Sequence, residues 1–188
     1  MSWLSDHLPR GELVLDASVI INLLGTGEPV ELLRGLGQSC LIEQRTLQEI
    51  QKHPVPGFNL TPTLNTLLTE GTLQEVRMTD NEYETFIRLI HAPLGVRLGD
   101  GESAAIAICA RCAGIVLDEK RARRIVAIEA PETVVASSLK LILSSAHRQA
   151  WPLARLQESI QMARGHARMG VPKDEVDLLN RVLAAKGA

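Results

Sequence analysis

Five short apolar runs, at residues 13–15, 40–42, 73–78, 115–117 and 133–136, alternate along the chain with segments of helical spacing. The helical segments fall at 19–24, 30–36, 46–51, 63–69, 82–90, 103–112 and 122–128. Strand, helix, strand is a crossover unit, and a succession of such units builds a mostly parallel sheet with helices on both faces. The alternation predicts an α/β protein with five strands. Beyond Ser137 the pattern is helical throughout, with breaks at Trp151-Pro152 and Gly170-Val171-Pro172. The expected organisation is one α/β domain over 1–144 and a helical C-terminal extension over 145–188 packed on it.

The chain has the material for such a core. Of its 188 residues 45% are hydrophobic and 22% charged, and a domain of this length buries about 70% of the surface its unfolded chain exposes. No apolar run approaches the roughly 18 residues of a membrane span, and residues 1–10 lack the charged-then-apolar order of a secretory signal. A cytoplasmic protein without membrane contact is expected. Cys40, Cys109 and Cys112 make an odd set with no framework spacing, and the C-x-x-C of the last two lies in an Ala/Ile-rich helical stretch. Small core residues are therefore expected there, not zinc or redox chemistry. Charge is uneven: residues 1–144 carry 13 basic and 18 acidic side chains, net −5, and residues 145–188 carry 7 and 4, net +3.

Gly25, Gly71 and Gly114 stand where helices are expected to stop. Pro54, Pro56 and Pro62 interrupt a stretch around Gly57, so residues 53–61 read as a flexible loop.

The acidic residues are placed with more purpose than local structure demands. The first and fourth apolar runs each end in an aspartate, Asp16 and Asp118. In a parallel sheet the carboxyl ends of the strands share one edge, where open α/β folds bind ligands. Both also have a local reading as helix caps. Thr46-Leu47-Gln48-Glu49 fits a capping box after the second strand, and Asp100-Gly101-Glu102 precedes a helix as cap and dipole-compensating charge. Local capping does not explain why four elements bring carboxylates to one edge. Unit charges about 4 Å apart repel by about 1 to 4 kcal/mol. A hard divalent cation removes that repulsion and brings phosphoryl hydrolysis within reach.

Taken together, Leu13-Val14-Leu15-Asp16-Ala17-Ser18, Thr46-Leu47-Gln48-Glu49-Ile50, Gly101-Glu102-Ser103-Ala104-Ala105-Ile106 and Leu117-Asp118-Glu119-Lys120-Arg121-Ala122-Arg123 resemble the motifs of the PIN-domain nucleases. The resemblance covers roughly residues 12–150 and is strongest to prokaryotic members related to toxin–antitoxin ribonucleases. It implies a three-layer α/β/α fold with a five-stranded sheet, a Mg2+ or Mn2+ site, and RNA cleavage. Position by position, Asp16, Glu49, Glu102 and Asp118 look like the acidic quartet that holds the metal and performs catalysis. Ser18 looks like the hydroxyl that orients Asp16 or a metal-bound water. Asp100 competes for the third position, and Glu119 stands where many relatives carry a second aspartate. An antitoxin that inserts a basic residue into the crevice, and a homodimer, are partners the resemblance implies.

Lys120, Arg121 and Arg124 follow Asp118 and are candidates for RNA phosphate contacts, with a solvated helix face as the bland alternative. Aromatics are 3% of the chain and are not interleaved with the basic groups, which argues against base stacking. None of the five histidines adjoins an acidic motif. Asn22 lies a turn or so beyond Asp16 and is assigned no role. Two other functions compete with hydrolysis: a non-catalytic protein- or RNA-binding module, and a phosphoryl-accepting receiver domain. The latter is disfavoured because the third strand ends in Thr79-Asp80 with no suitable lysine after it.

Overall fold

A computed structural model describes residues 5–52, 60–95 and 97–186. Five strands form one sheet: β1 (Leu13–Leu15), β2 (Cys40–Glu43), β3 (Leu73–Val76), β4 (Gly114–Val116) and β5 (Val134–Ala136). Their order is β3-β2-β1-β4-β5 and every pairing is parallel, with Leu13 opposite both Cys40 and Gly114. All five expected strands are present. The chain winds outward from β1 to β3, then crosses back to lay β4 on the other side of β1. That reversal opens a crevice at the carboxyl ends of β1 and β4, the topological switch point of an open α/β sheet.

The helices are α1 (Ala17–Gly25), α2 (Pro29–Gly35), α3 (Gln44–Lys52), α4 (Leu60–Thr69), α5 (Asp80–Ile90), α6 (Asp100–Cys109), α7 (Lys120–Glu129), α8 (Ser138–Arg148), α9 (Leu153–His166) and α10 (Val176–Ala184), with a 3-10 turn at Lys173–Glu175. Alternation along β1 sorts the layers. Leu13 and Leu15 join the larger core with α1, α2, α8 and α9, whereas Val14 faces the smaller one with Ile106, Ile108 and Val126 of α6 and α7. Helices thus cover both faces, giving the three-layer α/β/α fold. In the C-terminal segment, Leu156, Ile160, Leu179 and Val182 are buried in that larger core.

Several local expectations change. Helix α3 starts at Gln44, directly after β2, and the Glu43 carboxylate accepts the Arg45 N–H at 2.5 Å. Thr46 is therefore inside the helix and makes no capping box with Glu49. Its hydroxyl instead donates to the Gly101 carbonyl at 3.0 Å. Gly99, not Asp100, precedes α6. Gly114 stops no helix. It opens β4, where a Cβ would lie 2.9 Å from Pro9 Cγ and 3.0 Å from the Val134 carbonyl oxygen. Pro62 falls in the first turn of α4, where its missing N–H costs nothing. Most of the expected 53–61 loop, residues 53–59, lies outside the described residues. The three cysteines are buried and unpaired.

Candidate metal centre

Asp16 leaves β1 in an extended conformation and caps α1. Its Oδ2 accepts the Ser18 hydroxyl at 2.6 Å and the Ser18 N–H at 3.2 Å. The residue is 4% exposed, and Oδ1 is buried with no hydrogen-bond partner. Burial raises its pKa above the ordinary aspartate value; the Ser18 donors oppose the rise and the Glu119 charge adds to it.

Asp118 leaves β4 from the other side of the crevice. Oδ1 accepts the Ser138 N–H at 2.9 Å, and Oδ2 accepts the Ser138 hydroxyl at 2.6 Å and Asn22 Nδ2 at 3.0 Å. Burial again pushes the carboxyl up, and the nearby charges of Glu175 and Asp16 push the same way.

Glu49 and Glu102 close the crevice from α3 and α6. These helices meet at Gly101, whose missing side chain makes room: a Cβ there would sit 2.0 Å from Glu49 Oε2. Glu102 reaches back to accept the Gly99 N–H at 3.2 Å. Its pKa is raised to about 7, first by burial and then by the neighbouring Glu119 carboxyl and the charge of Asp16. The crowding of acidic groups penalises the charged form of Glu102, which marks a site with more negative charge than its own groups neutralise.

Asp16, Ser18, Glu49, Glu102, Asp118 and Glu119 all line one cleft of about 490 Å3, whose far wall is Gly170 and Val171. Asp100 is exposed at the start of α6 and is not part of that lining. Lys120 and Arg124 line an adjoining cleft. Arg121 turns elsewhere, donating to the Arg97 carbonyl at 2.8 Å and pairing with Glu119 at 3.7 Å. Sequence reasoning left out Asn22 and missed Ser138 and the wall at 170–171. A signal existed for Ser138, because it starts the helix after β5 at the same carboxyl edge.

The donor set suits a hard divalent cation. It is made of carboxylate oxygens, it includes an oxygen of Asp16 that nothing in the protein claims, and it carries repulsion that a cation would relieve. Among the described residues, no group of three or more His, Cys, Asp or Glu side chains is already disposed around a single point. An ion seated here would take one or two carboxylates and fill its remaining positions with water, the usual habit of Mg2+.

A doubly wound parallel sheet with an acidic crevice at its switch point defines an α/β class that binds its ligands at that edge. A family model describing a PIN domain matches residues 12–160. The chain belongs to the PIN-domain family, a nuclease-type family. No curated protein and no solved structure matches it.

Proposed function

We propose that the chain is a Mg2+- or Mn2+-dependent endoribonuclease that hydrolyses RNA phosphodiester bonds at the acidic cleft. One observation carries the reading: carboxylates from four separate segments, Asp16, Glu49, Glu102 and Asp118, line a single cleft. These four would hold the ion, with Glu119, which also lines the cleft, as a further ligand and Asp100, exposed outside that lining, as a lesser candidate. The ion, when bound, supplies a Lewis acid for a phosphoryl oxygen and lowers the pKa of a water. Ser18 and Ser138 hold the two aspartates in place, and the crowding of acidic groups around Glu102 is the repulsion that a cation would relieve. Lys120 and Arg124 bind backbone phosphates next to the cleft.

The physiological setting we assign is a toxin of a toxin–antitoxin pair. Its antitoxin would insert a basic side chain into the same negative cleft, and a second copy of the chain would complete a homodimer.

The test is a cleavage assay on labelled single-stranded RNA. The wild type cuts with Mn2+ and stops with EDTA, and Asp16→Asn is folded and inactive. RNA left uncut with Mn2+, or a mutant that cuts as well as the wild type, overturns the proposal.

A further inference from the structure

The acidic cleft does not end at Asp118. A second cleft of about 600 Å3, within the range of small-ligand sites, shares Asp118 and Val171 with it and opens between α7 and residues 171–174. Its character is different, with four cationic side chains in its lining against two acidic ones. Lys120 and Arg124, four residues apart, share one face of α7, and Lys173 faces them from the other wall. Among the described residues none of these three has an ion pair or side-chain hydrogen bond. Arg123, by contrast, is engaged by Glu175 at 3.5 Å. Between the cations lie Ala127, Val171 and Pro172, an apolar floor.

The outer wall is fixed, not loosely draped. Glu175 is 3% exposed, accepts the Ser137 hydroxyl and pairs with Lys140 at 3.2 Å, which ties the 171–175 segment to the start of α8. This wall lies beyond residue 160, where the family match ends. It is therefore a feature of this chain's C-terminal segment.

We propose that this second cleft takes one nucleotide of a single RNA strand beside the scissile phosphodiester, its phosphate on Lys120, Arg124 and Lys173 and its base and ribose on Val171, Pro172 and Ala127. The proposal rests on the ribonuclease reading and gives it a polarity: the strand leaves the acidic cleft over α7 and under the C-terminal segment. Contacts of this kind give affinity with little sequence preference, because cations read the backbone and an apolar floor accepts any base.

The experiment is fluorescence anisotropy of the full chain with a 5′-fluorescein-labelled octauridylate in EDTA, where the assigned metal chemistry is silent. Wild type binds, and the Lys120→Ala/Arg124→Ala/Lys173→Ala protein binds about tenfold more weakly or worse, with the slope of log affinity against log salt reduced by about 2. Lys173→Glu alone shifts binding in the same direction, and Arg164→Ala, an exposed cation outside the cleft, leaves it unchanged. No binding by wild type, or equal binding by the triple variant, overturns the proposal. An oligoglutamate peptide that binds more tightly than the octauridylate overturns it in favour of an acidic protein partner. If no protein cuts RNA with Mn2+ while the binding contrast holds, the ribonuclease reading fails and the nucleotide site stands.

Discussion

Ser138 grips Asp118 by both carboxylate oxygens, its backbone N–H on Oδ1 at 2.9 Å and its hydroxyl on Oδ2 at 2.6 Å. The serine begins the helix after β5 and the aspartate ends the segment after β4, so the sheet itself sets their distance. Replacing Ser138 with Ala leaves Oδ2 with Asn22 as its one remaining donor. The variant is expected to lose about 1–2 kcal/mol of stability in urea denaturation. Metal affinity should fall about tenfold to a hundredfold, as for other groups that orient ligands. Unchanged values for both would show that the pairing does not position Asp118.

Gly101→Ala separates stability from function. The new methyl would collide with Glu49 Oε2, the movable end of a side chain, and would otherwise gain helix propensity of about 0.5–1 kcal/mol. The fold should survive with a melting temperature close to wild type, while displacement of Glu49 cuts Mn2+ affinity about tenfold. Isothermal titration beside a thermal melt checks both halves. Retained affinity would mean that Glu49 is not a ligand.

Stability should depend on pH in a direction opposite to that of an ordinary salt-bridged protein. Glu102 rises from 4.5 to about 7 on folding, so the folded state binds more protons than the unfolded one between those values. Asp16 and Asp118 are raised too. Without metal, the melting temperature is expected to fall as pH climbs from about 4.5 to 7. Glu102→Gln should flatten that fall, and saturating Mn2+ should raise the melting temperature at pH 7 far more than at pH 5. A melting temperature that climbs with pH in EDTA would refute this charge assignment.

Glu175 makes a separate structural prediction. Its removal as Glu175→Ala takes an acceptor from Lys140, Arg123 and Ser137, at a cost of about 1–3 kcal/mol because both cations stay partly exposed and Arg123 keeps Asp174. Limited proteolysis should then cut near residues 170–175 faster than in wild type. An unchanged digestion pattern would show that other contacts hold the segment.

The central strands β1 and β4 and their acidic ends were legible because a parallel sheet buried on both faces makes such a strand a continuous apolar run, unlike the edge strand β3, whose Gln74 and Glu75 are exposed. An aspartate immediately after such a run is therefore visible in one dimension. Asp16 and Asp118 are of this kind. Glu49 was placed at the crevice by the helix that follows β2, and only its competing reading as half of a capping box fails, since β2 passes into α3 without a loop and Glu43 meets the first helical amides. The groups that hold the site were not legible. Asn22 reaches Asp118 across 96 residues, and Ser138 acts through a crossover that periodicity does not encode. Arg121 reads as a phosphate binder beside Arg124, yet one step around the helix turns it toward the Arg97 carbonyl.

The central claim is that the crevice between β1 and β4 seats a divalent ion. Crystals soaked in Mn2+ and measured for anomalous scattering test it directly. The account predicts a peak with Asp16 and at least one of Glu49, Glu102 and Asp118 within about 2.5 Å. A soaked crystal with no peak in that crevice, from protein that also releases no heat on Mn2+ titration, would contradict it.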